Sequence, residues 1–341
     1  MKQPTVVRLF ILGLPIGLII GGVIAMILYF RDEDAALADA SRGFLRKPVT
    51  RPDIQSHVEV LAKTIGPRHA GVPARLNATI KYIEGTLGPA NLGYSVRRES
   101  YKAGESEFHN LVLEIISTNP DTGHEIVLVG AHYDTAMTTP GADDNASGVA
   151  ACISLAQAFA RSENARTLRF VFFANEEPPW FQTENMGSLV YAKGCKSRGE
   201  TIVAMLSLES LGYYSDAPGS QKAPPVPGVT FPDTGNFLAI VGNATSAPLA
   251  TQIAGYFRTS STLPAYSIAL PATIVEQGWS DHWSFWQQGY PAVMVTGTAT
   301  FRNPHYHLPT DTADTLDYDR LTLAVQGLEG VIRELINPAK R

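Results

Sequence analysis

Apolar positions change their spacing several times along this chain. From Leu9 to Phe30 they run together without a single charge. A helix of that length, rising about 1.5 Å per residue, crosses a hydrocarbon core of about 30 Å, so residues 9–30 are expected to form one transmembrane helix. Lys2 and Arg8 precede the run, and the mixed cluster Arg31, Asp32, Glu33 and Asp34 follows it. Positive charge favours the cytoplasmic side, which keeps residues 1–8 inside and exports the body to the periplasm or the extracellular space. A cleaved signal peptide is the alternative, cut near Ala36 to Ala40, but its apolar region is normally about 7–15 residues. Residues 31–52 read as a polar linker.

From Asp53 the spacing becomes helical, with Ile54, Val58, Leu61 and Ile65 on one face until Gly66 and Pro67 stop it. A second helix is expected from Pro73 to Leu87. Short apolar runs bounded by turn residues follow, the pattern of buried strands. They are Leu111 to Ile116, Ile126 to Ala131, Leu168 to Ala174, Ile202 to Leu208, Phe237 to Val241 and Ala292 to Thr296. Helical stretches from Ser147 to Ala160, Met186 to Lys193, Pro248 to Arg258 and Tyr318 to Leu335 separate several of them. The alternation predicts one α/β sheet covered on both faces, within a domain of residues 53–341. The Pro-rich segment Ala217 to Pro232 reads as a loop over that body.

Composition narrows the chemistry. With 17% charged and 45% hydrophobic residues the body is globular, and a formal charge of -5 gives no reason to expect nucleic acid as a partner. Two cysteines, Cys152 and Cys195, match neither a zinc-thiolate spacing nor a disulfide framework. Any metal must therefore be held by His, Asp and Glu.

Those residue types gather at the ends of the expected strands, where ligands of open α/β sheets collect. In His132-Tyr133-Asp134, residues two apart face the same side, so the carboxylate can fix the imidazole's tautomer. In Pro140-Gly141-Ala142-Asp143-Asp144-Asn145 a tight turn delivers carboxylates just before a helix; Asp144 can cap that helix or bridge two cations. Glu176 and Glu177 are neighbours at the end of an extended strand and point to different sides, so one can bind metal while the other faces the metal's water. Glu209 closes a buried strand, where a carboxylate needs a cation or hydrogen-bond donors. His305-Tyr306-His307 brings a possible imidazole ligand from far along the chain. Hard carboxylates with two imidazoles suit zinc or a related divalent ion. They suffice for two sites sharing an aspartate, with ions about 3.5–4 Å apart.

The order HYD, PGADDNASG, NEE, SLES and HYHLPTDT resembles the M28 family of zinc exopeptidases over about His57 to Ile336, as do Gly66-Pro67-Arg68 and Ser280-Asp281-His282-Trp283-Ser284-Phe285. The resemblance implies a single mixed β-sheet sandwiched by helices, two zinc ions, a peptide substrate and aminopeptidase activity. Motif by motif, it implies that His132 and Glu209 bind one zinc and Glu177 and His307 the other, with Asp144 between them. Asp134 then supports His132, and Glu176 is the general base. The terminal His of the family stands four residues before an Asp-Thr pair, which selects His307 over His305. Two features depart from the pattern: Glu209 stands where the family commonly has Asp, and Pro178 to Asn185 lengthens the loop after the glutamate pair. Glu276, Trp279 and Tyr306 are candidates for the pocket that holds the substrate's terminus. Two other classes compete, a single-zinc glutaminyl cyclase and a noncatalytic membrane receptor or scaffold; the complete ligand set and Glu176 favour the peptidase.

Overall fold

The computed structural model describes residues 46–223, 231–270 and 273–338. The run Leu9–Phe30 and the cleavage-site residues Ala36 to Ala40 lie outside the described residues, as does part of the Pro-rich segment. Among the described residues no helix is long and apolar enough to cross a membrane. Pro48–Arg341 form one unit. Helix α1 (Arg51–Val58) begins two residues before Asp53, because Thr50 accepts the Asp53 N–H and Pro52 fits the first turn. It continues as π-helical turns over Glu59–Ile65 and stops at Gly66, which takes φ 75°.

Eight strands build one mixed sheet: β1 (Arg97–Ala103), β2 (Ser106–Ile115), β3 (Glu125–His132), β4 (Thr167–Phe173), β5 (Thr201–Glu209), β6 (Leu238–Gly242), β7 (Ala265–Ala269) and β8 (Ala292–Thr296). Their order is β1-β2-β4-β3-β5-β8-β6-β7. The four central strands β4, β3, β5 and β8 are mutually parallel, so their carboxyl ends share one edge. Antiparallel joins flank them at β2/β4 and β6/β8.

The helices α2 (Pro73–Leu87), α3 (Gly148–Ala158), α4 (Gly187–Ser197), α5 (Ala247–Ser260), α6 (His282–Gln287) and α7 (Tyr318–Ile336) complete the layers. Successive residues of β3 enter opposite cores, as the period of two requires. Val127, Val129 and Ala131 pack in the large core with residues of α1, α2, α3, α5 and α7. Ile126 and Leu128 pack in the second core with Tyr191 and Cys195 of α4 and Phe285 of α6. Burial on both faces is why this strand reads as an unbroken apolar run. Two strands lie outside the expected set, β1 (RRESYKA) and β7 (AYSIA). Both are sheet edges with mostly exposed or half-buried side chains, so neither carries the apolar run of a central strand. Cys152 in α3 and Cys195 in α4 are buried free thiols.

Candidate metal centre

The carboxyl edge of the parallel strands carries the site. His132 is the last residue of β3, and Glu209 is the last of β5. Glu176 and Glu177 follow β4 after Asn175, whose φ of 57° is a left-handed conformation that asparagine tolerates. Asp144 comes from the turn that enters α3. Gly141 opens that turn at φ 60°, and a Cβ there would lie 2.4 Å from the Asp144 carbonyl oxygen. His307 arrives from the loop after β8 and is itself left-handed, at φ 59°.

The side chains converge as two groups that share one residue. His132, Asp144 and Glu209 form the first, and Asp144, Glu177 and His307 the second, with donor atoms of each group within 4.8 Å of one another. Asp144 divides its oxygens between them: Oδ1 lies 3.3 Å from His132 Nε2, and Oδ2 lies 3.0 Å from His307 Nε2. Glu209 Oε2 is 3.3 Å from His132 Nε2, and Glu177 Oε1 is 3.3 Å from His307 Nε2. Glu176 belongs to neither group, and its Oε2 is 3.9 Å from His132 Nε2. His305 also lies outside both: its Nδ1 meets Thr310 Oγ1 at 3.0 Å. Both ring nitrogens of His132 are buried without a hydrogen-bond partner. An orphaned imidazole nitrogen, His132 Nε2, with the carboxylate oxygens of Asp144 and Glu209 each 3.3 Å away fits a cation that all three would bind, and the donor set suits zinc.

Contacts outside the groups fix these residues. Asp134 accepts the N–H of Glu176 on Oδ1 and of Glu177 on Oδ2, each at 3.1 Å, and Oδ1 stands 3.6 Å from His132 Nδ1. Glu177 Oε1 accepts the Ala136 N–H at 3.0 Å. Asp311 accepts the N–H of Asp143 at 2.9 Å and of Asp144 at 3.1 Å. Asn145 donates to Leu208 O and accepts the Ser210 N–H, which ties the turn to the end of β5. Arg68, fully buried, donates to the carbonyls of Tyr133 and Pro140 at 2.7 Å and of Gly141 at 2.9 Å.

Charge in this interior is unbalanced. Burial, with Asp144 beside it, pushes the Glu177 carboxyl up to about 7. Burial raises Glu176 well above the usual range, although His132 opposes it. Burial also holds Asp281 at about 7 and Asp311 at about 8. Burial would raise Asp144 as well, but the imidazoles of His132 and His307 together outweigh it and draw the group below its ordinary value.

An apolar cleft of about 750 Å³, measured with its open mouth, adjoins the first group. Glu209 and Tyr306 line it together with Phe237, Ile268, Met294 and Trp279, and the Tyr306 ring stacks on His307 at 3.9 Å between centroids. Glu276 lies on the same wall, so the three residues named as pocket candidates meet there. Sequence reasoning gave no role to Asp311, Arg68 or Ser280. Each acts by gripping backbone or a neighbouring side chain, and none stands at a strand end.

Residues 110–328 match the model of peptidase family M28. YfbL, an uncharacterized protein of Escherichia coli (strain K12), is 34% identical over 324 residues, covering 92% of this chain and 95% of that protein. Leucine aminopeptidase 1 of Arthroderma otae is 28% identical over 67% of this chain. The chain spans 59% of that relative's length. Among solved structures, the LapA aminopeptidase of Legionella pneumophila superposes with a TM-score of 0.65 at 19% identity, covering 86% of this chain and 73% of that one. A glutaminyl cyclase of Fimbriiglobus ruber superposes at 0.62 and 20% identity, covering 84% and 96%. These superpositions establish the fold. The extent of the family match, with a relative of this identity along nearly the whole length, shows that the chain belongs to peptidase family M28.

Proposed function

We propose that this chain is a zinc-dependent aminopeptidase carrying two ions. The observation that carries the reading is the pair of donor groups sharing Asp144, with Glu176 beside them and an apolar cleft against Glu209. His132 and Glu209 would hold one ion and Glu177 and His307 the other, with one Asp144 oxygen turned to each. When bound, zinc supplies Lewis-acid polarisation of the scissile carbonyl and makes water a nucleophile near neutral pH. Glu176 takes the proton of the attacking water and returns it to the leaving amine. Asp134 holds the backbone of the Glu176–Glu177 pair, so general base and donor keep a fixed offset. The cleft receives the side chain of the N-terminal residue, with Trp279 and Tyr306 on its walls. The uncharged run Leu9–Phe30 supports a single-pass anchor, with residues 1–8 cytoplasmic, 31–52 a linker and the catalytic domain from residue 53 exported.

Zinc quantification combined with peptide hydrolysis tests this reading. The purified protein should hold two zinc ions and release the first residue of a peptide with a free N-terminus. Chelator should stop it, and N-acetylation of the peptide should abolish it. Glu176→Gln should keep the zinc while turnover falls by about 10²–10⁴-fold. Release from the C-terminus would make the enzyme a carboxypeptidase. Cyclisation of an N-terminal glutamine with one bound zinc would favour the cyclase, and absence of both metal and turnover the receptor or scaffold.

A further inference from the structure

We infer that Ser280, backed by Ser207, is a hydroxyl clamp that sets Glu209 as a metal donor. The inference rests on the metal reading of the site. Each oxygen of the Glu209 carboxylate accepts one serine hydroxyl: Oε1 from Ser210 Oγ at 2.8 Å, Oε2 from Ser280 Oγ at 2.8 Å. A hydroxyl has a single proton to give. Because Ser280 spends its own on Glu209, the 2.9 Å contact between Ser207 Oγ and Ser280 Oγ must be a donation from Ser207. The chain Ser207 to Ser280 to Glu209 is therefore directional, and each bond polarises the next. All four side chains are buried.

The clamp meets a physical need. A glutamate has one more rotatable bond than an aspartate, and its carboxylate must be held against that freedom if it is to stay 3.3 Å from His132 Nε2. The other carboxylates are held through backbone: Glu177 by the Ala136 N–H, Asp144 by the grip of Asp311 on its own amide. Glu209 is held by hydroxyls. Ser207 stands two positions before it on β5 and so on the same face, while Ser280 lies in the segment that leads into α6, next to Trp279 on the cleft wall. The clamp thus joins the donor to the segment that shapes the cleft.

Zinc affinity of the metal-free protein, measured by chelator competition, tests the clamp, with the visible spectrum of the cobalt(II) form as a second readout of ligand geometry. In Ser280→Ala one of the two ions should bind about 10–100-fold more weakly, the other as in wild type, and the cobalt bands should shift. Ser280→Thr, which keeps the hydroxyl, should restore both. Ser207→Ala leaves Ser280 in place and should weaken the same ion by less, which keeps the idea testable should Ser280→Ala fold poorly. Ser284→Ala removes a comparable buried hydroxyl, paired with Ser188 Oγ at 2.9 Å, and should bind both ions normally. Equal affinity in Ser280→Ala and wild type, or an equal loss in Ser284→Ala, overturns the clamp while two-ion uptake by wild type still stands. A wild-type chain that takes up no zinc overturns both.

Discussion

Arg68 is a buried cation whose side-chain hydrogen bonds all go to carbonyl oxygens. Desolvation lowers the guanidinium to about 10, so it stays charged at neutral pH among Asp134, Asp144, Glu177 and Asp311. Its fork closes on Tyr133 at the exit of β3 and on Pro140 and Gly141 at the turn before Asp144. Arg68→Met leaves the carbonyls of Tyr133 and Pro140 without a donor, at about 1–3 kcal/mol each, whereas Gly141 O keeps the Ala146 N–H. Urea unfolding should therefore show a loss of roughly 2 kcal/mol or more, and Arg68→Lys, which keeps the charge but not the planar fork, a smaller loss. A change below about 1 kcal/mol in Arg68→Met would mean that other contacts hold the turn. Sequence could not have announced this role. The Gly66-Pro67-Arg68 stretch marks a helix stop, and nothing in its spacing says that the guanidinium turns inward.

Between elements, an electrostatic join away from the centre fastens α4 and the start of β5 to the sheet. Arg169 of β4 meets Glu114 of β2 at 2.6 Å, Glu200 at 2.5 Å and Tyr191 of α4 at 3.0 Å. Burial would raise the Glu200 carboxyl, but hydrogen bonds from Arg169 and Arg198 outweigh it and hold the group at about 2. A folded-state value below the unfolded one means that the unfolded chain binds more protons as acid is added. The stabilisation is thus whole above about pH 4.5 and disappears as the pH falls towards 2. The group is partly open to solvent, so the contribution is on the order of 1 kcal/mol. Glu200→Gln should be less stable at pH 7 by about that amount, and its difference from wild type should narrow as the pH falls from about 4.5 towards 2; a gap undiminished across that range would point to packing. Elements of this kind differ in how well the sequence shows them. β3, β4 and β5 are legible because both faces are buried, whereas β1 is largely charged and at most half-buried until Ala103, and β7 is short and mostly exposed.

At the scale of the whole molecule the centre is drawn from segments far apart, and strand ends made most of them legible. His132 and Glu209 end apolar runs directly, and Glu177 follows one within three residues. Asp144, taken by itself, reads as a helix cap before it reads as a metal bridge; its turn is pinned by Asp311, 167 positions away, a contact that no local pattern encodes. Asp311→Asn keeps one carbonyl oxygen and should leave one of the two amides, Asp143 or Asp144, without its acceptor. Unfolding should cost about 1–3 kcal/mol less in free energy. Because Asp144 faces both imidazoles, zinc titration should show both ions weakened together; loss of a single ion would mean that Asp311 does not govern the shared carboxylate. The same long-range pin has a kinetic consequence. A contact of such separation is late in folding, since the chain must close a very long loop before it forms. Metal cannot then nucleate the fold: zinc present from the start of refolding should leave the folding rate unchanged and act on the unfolding limb instead, lengthening the life of the native state.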